Sequence, residues 1–346
     1  MGNIYYDGTK LLNLKDINGE KPGIIMCTGN RSAGKTTYFN RYVVNRFKKY
    51  NEKFVLLYRY KDELDGVSDK FFKDINTLFF PKDTMESEKR EHGIYHNLYL
   101  NDKHCGYALA MNSADRIRKL SHFFSDAERI LFDEFQTETN KYIPGEITKF
   151  RSIYTTIARG QGKQIRDVQV IMLSNAITLL NPYYQAFGIS ERLQKNTKFL
   201  RGEGFVLEFT LNENARDSMK QSAFNRAFID TKYLDFAAEN VYLDDNKSFI
   251  DTPKGNNRYI GTIIYQNKSY GLRSYDDLGI VYVSDKPDLT YPFKIAVTTA
   301  DHDINYVMLK KNDAFITGLR WYFEKGCFRF KNLQSKSAIL TALSYY

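Results

Sequence analysis

Residues Gly29-Asn30-Arg31-Ser32-Ala33-Gly34-Lys35-Thr36 carry the spacing G-x-x-x-x-G-K-[ST], which is a device for holding phosphate. Its glycines let the backbone curl so that successive N–H groups point inward at phosphate oxygens, and the N-terminus of a following helix adds a favourable dipole. Lys35 then reaches the terminal phosphates and Thr36 holds Mg²⁺, with Thr37 completing the cradle. The flanks fit this chemistry. Gly23-Ile24-Ile25-Met26-Cys27 is a short apolar run suited to a buried parallel strand. The stretch 37–50 reads as helix, with Tyr38, Tyr42, Val43 and Phe47 on one face.

A phosphate loop needs acids to complete it. The stretch 128–135 is an apolar strand ending in Asp133 and Glu134. In ATPases of this kind the first acid supports Mg²⁺ and the second polarises the attacking water. We therefore expect Asp133 at the metal and Glu134 as general base. A third apolar run, 168–173, leads into Ser174 and Asn175. A polar residue at the carboxyl end of a neighbouring strand sits where open α/β sheets bind ligands. Asn175, or else Ser174, is a candidate sensor of the γ-phosphate or of the attacking water; the other reading is a turn residue capping the strand. Before this run, 148–158 predicts a helix, followed by Arg159-Gly160-Gln161-Gly162-Lys163. An arginine in a glycine-rich loop, away from its own phosphate loop, is suited to enter a neighbour's site as an arginine finger. An arginine at a helix C-terminus is equally well served by the dipole.

These groups must be positioned by further elements. The stretch 53–60 reads as a strand, and Lys61 just beyond it lies on the functional rim, to meet a polyanion or to pair with an acid. The stretch 71–106 suggests an antiparallel insertion, with turns at Lys82-Asp83 and Asn101-Asp102. Residues 108–112 then lead to Arg116, Arg118 and Lys119, a second cation set or an ordinary solvated helix face. The stretch 195–217 is polar and broken by Gly202 and Gly204, and 218–240 reads as helix; together they suggest a linker or lid. Four short strands at 258–266, 270–275, 278–284 and 293–299 precede a helix at 312–326. Phe315, Ile316, Leu319, Tyr322 and Phe323 give that helix an apolar face. A meander packed on a helix is an α+β domain of the ribonuclease-H type in outline.

The chain has 346 residues, 42% hydrophobic and 15% aromatic, enough for two domains. The net charge of +9 is spread without a like-charge run, pointing mildly to a polyanionic partner. Cys27, Cys105 and Cys327 are scattered without metal spacing, as in a reducing compartment. His92 and His96 are separated by Gly93 and have no further ligand, so zinc is not expected. No signal segment or membrane-spanning run is present, and we expect a soluble protein without a membrane partner.

The blocks G-N-R-S-A-G-K-T, L-Y-R-Y-K-D-E-L, I-L-F-D-E-F, Y-I-P-G-E and L-S-N-A-I-T-L-L-N-P-Y-Y, in that order, resemble the genome-packaging ATPases of small tailed phages of the phi-29-like type. The hairpins and V-T-T-A-D of the second half are also similar. The resemblance implies an α/β fold: a mainly parallel P-loop domain of the additional-strand, conserved-glutamate, terminase-like class, joined to a smaller α+β vestigial ribonuclease-H-like domain. The expected division is 1–203 for the ATPase, 204–248 for the linker or lid, and 249–346 for the nuclease-like domain. It further implies an ATP- and Mg²⁺-dependent homopentameric ring on the portal of an empty procapsid, driving double-stranded DNA inside, with or without a packaging RNA as a further partner. Such a motor works in the host cytoplasm and is absent from the mature virion. On matching positions Arg159 becomes the finger and Lys61 faces DNA; Lys119 becomes a trans-acting cation only after a one-residue shift.

A working nuclease of this class clusters acids around two metal ions. Here Asp276, Asp277, Asp285, Asp301 and Asp303 fall mostly in turns, so nuclease activity is not expected. The domain would instead dock portal, RNA or neighbouring subunits through residues such as Lys310, Lys311, Arg320, Trp321 and Lys331, with a place in the core the equal alternative for Trp321. Two other functions share this core: a helicase or FtsK/HerA-like translocase not dedicated to packaging, and a non-catalytic nucleotide-gated scaffold, against which Glu134 argues.

Overall fold

The computed structural model describes residues 6–137, 142–160, 162, 164–177, 181–189, 192, 197–211, 213–227, 249–309 and 313–344. The chain divides into two compact units, Met1–Asp244 and Asp245–Tyr346.

The first unit is built on a nine-stranded sheet. Its strands are β1 (Ile24–Gly29), β2 (Lys53–Tyr58), β3 (Met85–Arg90), β4 (Tyr95–Leu100), β5 (Lys103–Ala110), β6 (Ala127–Phe132), β7 (Gln169–Asn175), β8 (Phe199–Gly202) and β9 (Phe205–Thr210). The order is β3-β4-β5-β2-β6-β7-β1-β9-β8. From β5 to β9 all neighbours are parallel, while β3, β4 and β8 add antiparallel edges. Strand β7 thus stands between β1, which feeds the phosphate loop, and β6, which ends at the two acids. This is the additional strand that the resemblance implied.

Strands buried on both faces read as continuous apolar runs, which is why β1, β2, β6 and β7 were legible. Alternate residues serve opposite layers. Ile25 and Cys27 pack with Phe39, Val43, Val44 and Phe47 of helix α2 (Lys35–Tyr50) and with Val67, Phe71, Phe72 and Ile75 of α3 (Val67–Phe79). Met26, Phe132 and Met172 pack instead with Phe150, Ile153 and Ile157 of α5 (Glu146–Ala158). A short α1 (Thr9–Leu12) precedes β1, and α4 (Ala114–Ile117) follows β5.

Three expectations need correction. Residues 71–79 belong to α3, not to an antiparallel insertion, because Val67, Phe71, Phe72 and Ile75 are spaced for a helix face. The antiparallel part begins at Met85, and its β4–β5 hairpin turns at Asn101 and Asp102, both left-handed at φ 49° and 63°, as a two-residue hairpin loop demands. The ATPase sheet also continues past the boundary expected at residue 203, since β9 pairs in parallel with β1 along its whole length. Gly202 and Gly204, read as breaks in a linker, flank the β8–β9 turn. Beyond it the expected helix at 218–240 is α7 (Glu213–Gln221) and α8 (Ala223–Arg226), divided where Ser222 caps α8 by accepting from Asn225 N–H. Residues 228–240 lie outside the described residues.

The second unit holds a six-stranded sheet, ordered β14-β13-β10-β11-β12-β15. Here β10 is Arg258–Tyr265, β11 Lys268–Tyr275, β12 Ile280–Ser284, β13 Lys294–Ala296, β14 Val307–Met308 and β15 Phe328–Phe330. The β10–β11–β12 meander is antiparallel, and β13, β14 and β15 join in parallel pairs. Helices Ala314–Glu324 and Leu333–Ser344 complete a core of Ile263, Leu272, Val283, Ile316, Leu319 and Ile339. The turn acids have local employment. Asp301 accepts from Asn267 N–H and the Thr298 hydroxyl, Asp285 pairs with Lys331, and Asp303 accepts from Asn305 N–H. Trp321 is exposed, and Lys310 and Lys311 lie outside the described residues.

Candidate nucleotide site

Strand β1 ends at Gly29, where a Cβ would lie 2.5 Å from the carbonyl oxygen of Thr210. Glycine there lets the end of β9 close against the root of the phosphate loop. The loop then curls through left-handed Ser32 and Gly34, at φ 57° and 90°, and Gly34 opens α2. Lys35 is 6% exposed; its ammonium donates to the carbonyl of Asn30 at 2.7 Å and lies 3.5 Å from Asn175 Oδ1. Burial pushes the Lys35 ammonium below the ordinary lysine range. Thr36 Oγ1 donates to Asp133 Oδ2 at 2.7 Å, and Glu134 N–H donates to the other Asp133 oxygen at 2.9 Å. These loops and the end of β7 enclose a cleft of about 430 Å³ whose walls are residues 31–37, Asp133, Glu134, Ser174 and Asn175.

The sequence left Asn175 and Ser174 as alternatives. Ser174 is tied to Thr28 and receives a hydrogen bond from Gln136 Nε2. Asn175 instead approaches Lys35, its Oδ1 3.5 Å from the ammonium.

Glu134 stands at the mouth of the cleft with a left-handed backbone, φ 57°. Burial of its inner side, reinforced by the Asp133 charge, pushes its carboxyl above the ordinary glutamate range. Burial also raises Asp133, opposed by the hydrogen bonds from Thr36 and from Glu134 N–H. The convergent hydroxyl and carboxylate oxygens of Thr36 and Asp133 suit a hard cation that takes its remaining ligands from phosphate and water, so the donor set fits Mg²⁺.

Behind Glu134 lies a network that sequence reasoning missed. Arg59, at the end of β2, donates to the backbone carbonyls of Glu134 at 3.2 Å and Phe135 at 3.0 Å. Its guanidinium clasps both oxygens of buried Glu146 at 2.9–3.1 Å, and Tyr183 OH and Ile143 N–H complete that carboxylate. The signals available were an arginine closing an apolar strand and the acid of the Y-I-P-G-E block.

Other expected residues lie apart from this cleft. Arg159 terminates α5, is exposed, and makes no hydrogen bond or ion pair among the described residues. The next residue, Gly160, backs onto Ser125, just past the 3₁₀ turn Arg118–Phe123 that carries Lys119. Arg116, Arg118 and Lys119 are all exposed. Lys61 donates to the carbonyl of His92 at 3.0 Å and has no acidic partner among the described residues.

The family model for the Podovirus DNA encapsidation protein (Gp16) matches residues 2–343. The DNA packaging protein of Bacillus phage phi29 is 25% identical over 333 residues, spanning 95% of this chain and 94% of that one. That of Bacillus phage B103 is 25% identical over 308 residues, spanning 88% and 91%. Among solved structures, the bacteriophage Phi-29 viral genome packaging motor assembly superposes with a TM-score of 0.63 at 23% identity, covering 99% of this chain and 98% of that one. The Phi-28 gp11 DNA packaging motor gives 0.68 at 17% identity, with the same coverage. The order of strands around the phosphate loop, the convergence of Lys35, Thr36, Asp133 and Glu134, and a match running nearly end to end place this chain in the podovirus DNA encapsidation (Gp16) family.

Proposed function

We propose that the chain is the ATPase of a viral genome-packaging motor, coupling hydrolysis of Mg-ATP to translocation of double-stranded DNA into a preformed procapsid. The observation that carries this reading is the meeting of Lys35, Thr36, Asp133 and Glu134 in one cleft at the carboxyl ends of β1 and β6. Lys35 and the loop N–H groups hold the phosphates, Thr36 and Asp133 hold Mg²⁺, and Glu134 takes the proton of the attacking water. When bound, Mg²⁺ neutralises charge on the β- and γ-phosphates. Asn175 reads the γ-phosphate, and Lys61 meets DNA phosphates.

Arg159 is exposed and does not line its own cleft, which supports its acting as a finger in the site of an adjacent subunit. Such a finger contributes roughly 10³–10⁵ in rate. The active form is then a homo-oligomeric ring, a pentamer by the family resemblance, docked on a portal with or without packaging RNA. Lys119, on the surface beside the Arg159 loop, is a second cation for the same neighbour. The motor works in the host cytoplasm and leaves no copy in the mature virion. The second unit docks other components and cuts no DNA, since its acids are held in turns; plasmid nicking with Mg²⁺ or Mn²⁺ that depended on these acids would contradict this.

The test is ATP turnover with and without long double-stranded DNA for the wild type, Glu134→Gln, Arg159→Ala and mixtures of the two variants. Each variant alone should be inactive, and the mixture should regain turnover because intact clefts then meet intact fingers. No recovery in the mixture would place Arg159 in its own site or in the fold. Absence of DNA stimulation in wild-type rings docked on portals would remove the motor reading.

A further inference from the structure

The chain leaves α5 at Ala158 and returns to the same point at Arg166, whose N–H donates to the Ala158 carbonyl at 2.7 Å. The segment that leaves Ala158 and comes back to Arg166 is therefore closed at its neck. Arg166 is only 6% exposed. Its Nη2 donates to the carbonyl of Ile157 at 3.0 Å and to that of Ala127 at 3.0 Å, while Nη1 lies 3.3 Å from the Glu128 carboxylate. One guanidinium therefore ties the last turn of α5 to the first residues of β6, the strand that ends at Asp133 and Glu134. Arg159, Gln164 and Ile165 are exposed by contrast. The outgoing limb is seated as well, for Gly160 has φ +110° and a Cβ there would lie 2.7 Å from the Cβ of Ser125.

A helix C-terminus favours a nearby cation through its dipole, and any lysine meets that need. Donating to carbonyls on two different elements while reaching an acid takes the planar fork of an arginine. We infer that Arg166 is a positioning residue: it fixes the root of the loop and with it the place where Arg159 is presented to the neighbouring subunit. This rests on the reading of Arg159 as a trans-acting finger. A displacement near 1 Å is enough to lower the rate about 10²-fold when the displaced group must meet a transition state.

The experiment uses full-length Arg166→Lys, which keeps the charge at the helix end and loses the fork, in mixed rings. Glu134→Gln subunits supply fingers but no turnover, and Arg159→Ala subunits supply clefts but no finger. Alone, Arg166→Lys should lose roughly tenfold to a hundredfold in kcat, with KM for ATP changed less than about twofold. Mixed with Glu134→Gln it should recover turnover, and mixed with Arg159→Ala it should not. Gly160→Ala, which leaves Arg166 intact and pushes the loop off Ser125, should show the same pattern. Wild-type turnover in Arg166→Lys would mean that only the cap charge matters and overturn the inference. So would a defect that Glu134→Gln subunits fail to relieve, since the fault would then lie in the variant's own cleft or fold. The control mixture of Glu134→Gln with Arg159→Ala separates the two ideas: if it fails to recover, the finger and its clasp fall together. If it recovers while Arg166→Lys does not, only the clasp falls.

Discussion

Glu134 holds a backbone conformation, φ 57°, that costs a non-glycine residue about 1–3 kcal/mol and persists only where the surroundings enforce it. Its own N–H bonds Asp133, so the acid proposed to hold the metal and the proposed base are set by one peptide. Burial and the Asp133 charge raise the Glu134 carboxyl. A general base works only when ionised, so a raised group loses its function at a higher pH than an ordinary glutamate as the solution is acidified. The acid limb of kcat should therefore lie above the usual carboxylate value of about 4.3. Glu134→Gln should lower turnover by roughly 10²–10⁴ and abolish that limb while ATP still binds. A pH–rate profile with single-turnover measurements checks both; an acid limb at the ordinary glutamate value would mean that the carboxylate is fully solvated in the working ring.

Between elements, the end of β2 and the start of α5 meet in the Arg59–Glu146 pair, with both side chains buried. Removing one member of such a pair leaves an uncompensated buried charge, so Arg59→Met should cost about 3–5 kcal/mol of stability. Pairing it with Glu146→Gln should return much of that loss in denaturant unfolding. Turnover should stay low in the double variant, because the Glu134 carbonyl no longer has its donor at 3.2 Å; recovery of stability and turnover in parallel would make the pair a purely structural one. Nothing local announces this pair, since its partners are 87 positions apart. The strand, loop and helix around Lys35 were legible because each carries a continuous apolar run or a fixed spacing. Strand β9 was not: F-V-L-E-F-T places Glu208 in its middle, and the Tyr6 hydroxyl, which donates to that buried carboxylate at 2.5 Å, helps make it compatible with the sheet interior. Helix α3 was legible in principle, for Val67, Phe71, Phe72 and Ile75 share one face with Asp69, Lys70, Lys73 and Asp74 on the others. At the site, the spacing of one motif names the residues of the phosphate loop, but the different surroundings of Asn175 and Ser174 needed the fold, since Ser174 bonds Gln136 and Asn175 approaches Lys35.

For the whole molecule, a net charge of +9 gives a general attraction to polyanions, and the question is which cations do directed work on DNA. Lys61 follows β2 two residues after Arg59, which grips the Glu134 turn, so a load on Lys61 is applied to the segment that positions the base. Its ammonium is held by a single carbonyl, that of His92, in a tip where Glu91, His92 and Gly93 are all left-handed. With no acid paired to it among the described residues, that charge is available to phosphate. Lys61→Ala should consequently leave basal ATP turnover close to wild type and reduce its stimulation by double-stranded DNA. The salt dependence of DNA binding should become shallower, by about 0.9 in log–log slope for each phosphate that is no longer neutralised, and equally for all base sequences. Measuring turnover and DNA affinity across a salt series gives both quantities from one preparation. Equal loss of basal and stimulated turnover would assign Lys61 to the fold of the His92 tip. An unchanged slope with lowered stimulation would mean that Lys61 transmits the pull of DNA gripped elsewhere on the rim, and the gripping cation would then be sought among Arg116, Arg118 and Lys119.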